Sequence, residues 1–200
     1  MTNAMDWELA YREQKPAWSI GEPQPELARI LDQPGAVRGE VLDAGCGHAE
    51  LSLALAARGY TVVGIDLTSA AVEAATAAAQ QRGLSTATFV RADITAFTGY
   101  DGRFSTIFDS GLLHALPADK RDGYLRSVHR AATPGASLYI LAFAAGAFPE
   151  HPGPLPTQFT EDQLRETVSP HFRVDEIRPA SLHATAAQLP GWLVRAHRES

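Results

Sequence analysis

Residues 41–50 read Val-Leu-Asp-Ala-Gly-Cys-Gly-His-Ala-Glu, and this stretch decides the fold. A short apolar run ends in Asp43, Gly45 and Gly47 turn the chain, and a helical pattern opens at Glu50. Gly45 can take a backbone conformation closed to other residues. Gly47 lets a ligand approach the main chain without meeting a Cβ. The helix that follows presents free N–H groups and a positive dipole end, which suit a carboxylate or a phosphate.

Working outward, apolar runs alternate with helical patterns. Glu40–Ala44 reads as a buried strand and Glu50–Arg58 as a helix stopped by Gly59. Thr61–Leu67 is the next strand, followed by a helix over Ser69–Arg82 with Thr68 or Ser69 as its cap and Gly83 at its end. Ala87–Ala92 and Phe104–Asp109 are strands, Asp119–Ala131 is a helix ended by Pro134-Gly135, and Ser137–Phe143 is a fifth strand. This order predicts right-handed βαβ units and a parallel sheet buried on both faces. Thr160-Glu-Asp-Gln163 is a capping-box pattern that opens another helix. Phe172–Arg178 and Trp192–His197 read as a final strand pair, with Pro179 and Pro190 in a connection that partly covers a pocket. The segment before Glu40, rich in Trp and Pro, is expected over the carboxyl ends of the strands, where open α/β sheets bind ligands.

The chain of 200 residues suits one domain, with 1–35 as a cap segment and 36–200 as the core. Lys and Arg number 17 against 23 Asp and Glu, a net charge of −6, and no basic block is present. Phosphate-backbone binding needs clustered cations, so nucleic acid is not the expected partner. A small molecule is. The single cysteine, Cys46, excludes an internal disulfide and suits a reducing compartment. No stretch nears the ~18 apolar residues of a membrane span, and the N-terminus lacks a secretory h-region. The expectation is a cytoplasmic monomer or homodimer. His48, His129, His171, His183 and His197 show no ligand spacing, so no metal is expected.

Two cofactor classes use a glycine turn of this kind. The dinucleotide fingerprint G-x-G-x-x-G asks for a third glycine where Glu50 stands. Adenosylmethionine sites ask for an acidic strand end followed by G-x-G, and both features are present. Asp66 closes the second strand, where a carboxylate can accept from both ribose hydroxyls. Asp93-Ile94 follows the third, where the acid can accept from an adenine amino group and the isoleucine can pack on the ring. Phe108-Asp-Ser-Gly-Leu-Leu-His-Ala-Leu116 ends the fourth, beside the expected position of methyl transfer. His114, whose unperturbed pKa is near 6.5, is the candidate general base. Trp18, His114, Phe143, Phe148 and His151 could wall a planar acceptor. Cys46 reads as a small wedge between glycines, not a nucleophile.

DAGCGHAE (43–50), GIDLTSAAVEAA (64–75), RADI (91–94) and FDSGLLHAL (108–116) stand in the order of class I methyltransferase motifs. Pro16-Ala-Trp-Ser-Ile-Gly-Glu-Pro-Gln-Pro25 and the stretch 111–143 resemble the thiopurine-methyltransferase-like and mycobacterial heterocycle or benzoquinone methyltransferases. The resemblance spans roughly the whole chain. It implies a Rossmann-like α/β fold: a seven-stranded, mostly parallel sheet with an antiparallel last strand and helices on both faces. It also implies S-adenosylmethionine as methyl donor, S-adenosylhomocysteine as product, and a small aromatic or heterocyclic acceptor with an O, N or S nucleophile. By that resemblance Asp43, Gly45, Cys46 and Gly47 contact the methionyl part, Asp66 and Leu67 the ribose, and Asp93 and Ile94 the adenine. Asp109 and Ser110 flank the sulfonium, with Asp109 beside His114 in the catalytic set, and Trp18, Gly21 and Gln24 close over it. Two departures stand out: His48-Ala49 replaces the usual Thr-Gly, and Ser19 replaces an Asp. The competing readings are an NAD-dependent oxidoreductase and a non-catalytic adenosylmethionine-binding module.

Overall fold

The computed structural model describes residues 6–13, 16–148 and 155–200. Its elements run α1 (Trp7–Glu13), α2 (Pro25–Leu31), β1 (Val41–Ala44), α3 (Glu50–Ala57), β2 (Val62–Asp66), α4 (Ser69–Gln81), β3 (Ala87–Arg91), β4 (Phe104–Ser110), α5 (Ala118–Ala131), β5 (Ala132–Phe143), α6 (Glu161–Val168), β6 (Arg173–Ala184) and β7 (Ala187–His197). The strands form one sheet in the order β3-β2-β1-β4-β5-β7-β6. β7 runs antiparallel to both neighbours, and the rest run parallel to one another. This is the Rossmann-like arrangement.

Neighbouring strand residues go to opposite faces, as the pleat dictates. Leu42, Val63, Ile107, Leu138 and Ile140 pack with Tyr124, Leu125 and Val128 of α5 and Leu164 and Val168 of α6. Val41, Val62, Phe108, Tyr139 and Leu141 pack with Leu27, Ile30 and Leu31 of α2 and Leu51 and Leu55 of α3. A third cluster joins Ala75 and Ala79 of α4 to Leu53 and Ala49. β1 and β2 are buried along their whole length, which is why they read as continuous apolar runs. Thr68 caps α4 by accepting from Ala71 N, and Thr160 with Gln163 forms the expected capping box on α6.

Three expectations need correction. The last two strands are a long hairpin whose turn is Thr185-Ala186, so Pro179 and Pro190 lie inside strands and not in a loop over a pocket. Pro179 is on the edge strand and Pro190 lies beyond the last β5–β7 pair, Phe143↔Gly191, so both sit where a missing N–H is tolerated. Pro134-Gly135 does not lie between helix and strand. It sits within β5, where pairing slips from Phe104↔Ala132 to Thr106↔Ser137 and Gly135 takes φ 75°. The N-terminal segment carries two helices, α1 and α2, that its Trp and Pro content did not announce.

The register brings the strand tips level: Ala44 pairs with Ile65 and Asp109, Ser110 with Leu141, and Asp66 with Arg91. Chain reversal in strand order falls between β1 and β4, the place where such sheets open a crevice.

Candidate active site

The glycine turn is pinned to β2. Gly45 N and Cys46 N both donate to Ile65 O, and Gly47 N donates to Asp66 Oδ2 at 3.0 Å. Gly45 and Gly47 take φ of 70° and 53°. A Cβ on Gly45 would lie 2.9 Å from Leu112 Cδ1, and one on Gly47 would lie 2.7 Å from the Tyr11 hydroxyl. Positive φ strains any other residue at both positions, and an added Cβ would also have to displace the Leu112 or Tyr11 side chain. Ala49 is the one described non-glycine residue at positive φ, 64°, in the place where the resembling family has glycine. Cys46 is buried, and burial, with Asp43 and Asp66 nearby, holds its thiol well above the usual range. It is a wedge, not a nucleophile.

The acids take different positions. Asp43 is 2% exposed and accepts from Ser52 Oγ at 2.6 Å, so it ties β1 to the first turn of α3 from behind the glycine turn. Burial pushes its carboxyl up to about 6. Asp66 is 8% exposed and already accepts from Gly47 N, Thr68 N and Thr68 Oγ1. A carboxylate has about four lone-pair sites, so capacity for one further donor remains. Asp93 is exposed, and its Oδ1 closes a local turn on Thr95 N and Oγ1. Ile94, expected on an adenine ring, is buried in the core against α5 instead. The apolar side chain open at these tips is Leu67, 59% exposed.

The N-terminal segment covers the turn through residues that the sequence did not single out. The Tyr11 hydroxyl sits over Gly47 and accepts from Trp18 Nε1 at 3.3 Å, while Trp7 meets Trp18 edge-on. Burial and the Asp66 carboxylate hold the Tyr11 proton firmly in place. Glu8 Oε2 accepts from Ser69 N at the start of α4. The i, i+4 spacing of Trp7 and Tyr11 on one helix face was the signal available for them. Ser19 Oγ lies 2.9 Å from His48 Nδ1, so the two departures from the family pattern meet each other. Gly21 is exposed at φ 83° and shapes the bend between α1 and α2. Gln24, expected to close over a ligand, spends both amide ends elsewhere: Nε2 donates to His183 O at 2.8 Å and Oε1 accepts from His183 N at 2.7 Å. Between α1 and the tips of β2 and β3 lies an open groove of about 510 Å³ lined by Trp7, Glu8, Leu67, Thr68 and Arg91.

At the other end of the crevice, Asp109 is wholly enclosed. It accepts from Leu112 N at 2.7 Å, Leu113 N at 3.1 Å and Tyr124 OH at 2.9 Å, and burial pushes it up to about 7. Its oxygens therefore hold the 110–114 loop in shape, which corrects the expectation of a carboxylate facing a reacting centre. Ser110, half-buried at the tip of β4, is the neighbour that keeps some exposure. His114 stacks on Phe143 with ring centroids 4.2 Å apart, and Phe148 meets Phe143 edge-on at 4.9 Å. His114 Nδ1 accepts from Phe143 N at 3.3 Å. Burial, together with the Arg121 guanidinium, lowers His114 to about 3. Arg121 lies over the Phe159 ring and bonds Leu116 O and Thr157 Oγ1, tying the segment after residue 155 to this loop. His151 lies outside the described residues.

A family model for a methyltransferase domain matches residues 41–135. A 2-heptyl-1-hydroxyquinolin-4(1H)-one methyltransferase of Mycobacteroides abscessus is 45% identical, over 92% of this chain and 90% of that protein. The chain belongs to the methyltransferase family. A structure solved in work on conversion of a disulfide bond into a thioacetal group during echinomycin biosynthesis superposes on this methyltransferase with a TM-score of 0.88 at 33% identity, covering 96% and 91% of the two chains. The 1,6-didemethyltoxoflavin-N1-methyltransferase of Burkholderia thailandensis, solved with 1,6-didemethyltoxoflavin and S-adenosylhomocysteine bound, gives 0.68 at 25% identity, covering 96% and 80%. The methyltransferase uses S-adenosylmethionine. Its residues fit that group: a Cβ-free turn at a helix start, a carboxylate with spare capacity, and an exposed leucine beside an open groove line the same strand tips.

Proposed function

We propose that this methyltransferase methylates a planar heterocyclic or aromatic acceptor seated against the His114–Phe143 stack. The observation that carries this reading is the aromatic corner itself, 4.2 Å between stacked rings with Phe148 edge-on, at the tips of β4 and β5. Leu112, two residues before His114 in the same loop, lies against Gly45, so acceptor and methyl donor would share one crevice. The acceptors named for the two relatives, a hydroxyquinolinone and a didemethyltoxoflavin, are both fused planar heterocycles, which supports the same class here.

Bound S-adenosylmethionine supplies a methyl carbon already made electrophilic by its sulfonium. The protein's work is then placement. The Gly45–Gly47 turn and the first N–H groups of α3 receive the methionyl end. Asp66 accepts from the ribose, and Leu67 packs against the nucleoside. Asp93 takes the adenine amino group through its open oxygen, while Ile94 supports the wall from the core. Tyr11 and Trp18 close the crevice from above. Holding both reactants in line supplies on the order of 7–11 kcal/mol in favourable cases. We further propose one domain over the whole chain, with residues 1–35 as its cap, acting in the cytoplasm as a monomer or homodimer. No helix among the described residues is long and apolar enough to cross a membrane.

Thermal shift with S-adenosylmethionine, S-adenosylhomocysteine and NAD, followed by mass-spectrometric turnover on hydroxyquinolinones, phenols and thiols, tests the reading. A larger shift with NAD would favour an oxidoreductase, and cofactor binding without any turnover would favour a binding module. Asp66→Ala should weaken S-adenosylhomocysteine binding by roughly 1–3 kcal/mol in calorimetry. Unchanged affinity would remove Asp66 from the ribose site.

A further inference from the structure

Asp43, Asp109, Tyr124, Cys46 and Tyr11, at or near the strand tips, are each held in a way that disfavours proton abstraction. Asp43 is enclosed behind the turn with Ser52. Asp109 is enclosed with three donors on its oxygens, and the Tyr124 hydroxyl is one of those donors. The Cys46 thiol is buried, and the Tyr11 hydroxyl faces the Asp66 carboxylate, which opposes its ionisation.

His114 is the instructive case. Its Nδ1 accepts the Phe143 N–H from β5, so in the neutral ring the hydrogen sits on Nε2. Nε2 has no partner among the described residues and is not among their buried, unpaired atoms. Gly111 lies against that edge of the ring, 3.0 Å from Cε1 and 3.3 Å from Nε2 to an added Cβ. The charged group facing the imidazole is Arg121 from α5, and the neighbour from the segment after residue 155 is Thr157, which donates its N–H to His114 O. Protonating the ring would break the Phe143 bond and place a second cation beside Arg121. Neutral His114 can therefore give a hydrogen bond through Nε2 but has no free nitrogen with which to take a proton.

We propose that the enzyme takes acceptors that ionise on their own, such as N-hydroxy heterocycles, thiols and acidic phenols, and that His114 Nε2–H orients the acceptor by donating to its nucleophilic atom or an adjacent carbonyl oxygen. This rests on the methyltransferase reading of the corner given above. The acceptor loses its proton to solvent before transfer. Its lone pair then forms the bond to the methyl carbon while the electron pair of the methyl–sulfur bond returns to sulfur. The negative and positive charges cancel, and the products are a neutral N-methoxy heterocycle, methyl ether or thioether and S-adenosylhomocysteine.

The test is the pH dependence of kcat/KM for 1-hydroxyquinolin-4-one, 4-nitrophenol and phenol. The expected result is an inflection that moves with each acceptor's own pKa. Phenol, which titrates near 10 like a tyrosine side chain, is only about one part in a thousand ionised at pH 7 and should be turned over correspondingly slowly there. His114→Gln keeps an N–H donor and should keep most of the rate; His114→Ala should lower kcat/KM tenfold or more while leaving the inflections in place. An inflection fixed at one pH for every acceptor, or one lost on removing His114, overturns the proposal, since either marks a protein base. If S-adenosylhomocysteine binds and none of the three is methylated, the failure lies in the underlying functional reading, and the proposal goes with it.

Discussion

Replacing Gln24 with Ala separates two roles for one residue. The sequence pattern puts Gln24 over the cofactor, whereas the structure puts its amide on the His183 backbone with two bonds of 2.8 and 2.7 Å. Each neutral hydrogen bond is worth roughly 0.5–1.5 kcal/mol net, so losing both should cost about 1–3 kcal/mol. The side chain is buried, and the Glu26–Arg178 pair ties the same helix to β6, so α2 should stay docked and the loss should be local. With a urea m-value of ~1–3 kcal/mol per molar, the unfolding midpoint should fall by on the order of 1 M. Calorimetry with S-adenosylhomocysteine on the same variant should show affinity within about threefold of the parent, a difference below ~0.7 kcal/mol. An unchanged midpoint together with a tenfold loss of affinity would refute the clasp and restore the cofactor role. Gln24→Glu adds a check on direction. It keeps the acceptor for His183 N but sets a carboxylate oxygen against His183 O, so it should be the less stable of the two at neutral pH and recover in acid as the carboxyl protonates.

Asp109→Asn should change how stability depends on pH. The carboxyl titrates near 3.8 in the unfolded chain and is pushed up to about 7 in the fold, so the fold binds this proton more tightly. Its contribution is then fully present below about pH 4 and lost as pH rises through 7, at ~1.4 kcal/mol per pH unit in between. Relative to the parent, the Asn variant should gain on the order of 4 kcal/mol between those limits in urea titrations, and a pH-independent difference would contradict the burial argument. Cys46, buried with its thiol held protonated, should react with a small disulfide reagent only as fast as the protein opens; rapid labelling of the folded protein at about pH 8 would show a thiolate that the structure excludes.

Most of the sheet was legible in the sequence because its signals are local. Strand and helix periods, the Gly45–Gly47 turn and the Thr160–Gln163 capping box depend on residues within one or two turns of each other, and the structure has β1 to β4, α3 to α6 and the capping box within a residue or two of the expected positions, whereas β5 begins five residues before the expected Ser137. The last hairpin extends past the expected strands through Pro179 and Pro190, because an edge position that tolerates Pro179 is a fact of sheet order, not of sequence.

What the sequence by itself determined, then, is the order of elements, the glycine turn and the acidic residues at the strand tips. Only the tertiary structure decided which of those acids face the crevice and which are spent on the scaffold. Asp109 and Gln24 are tied to Leu112, Leu113, Tyr124 and His183, and His114 receives its tautomer from Phe143, 29 residues away. A polar group's chemistry depends on which donors and acceptors reach it and how much water remains, and those partners come together only when distant segments pack.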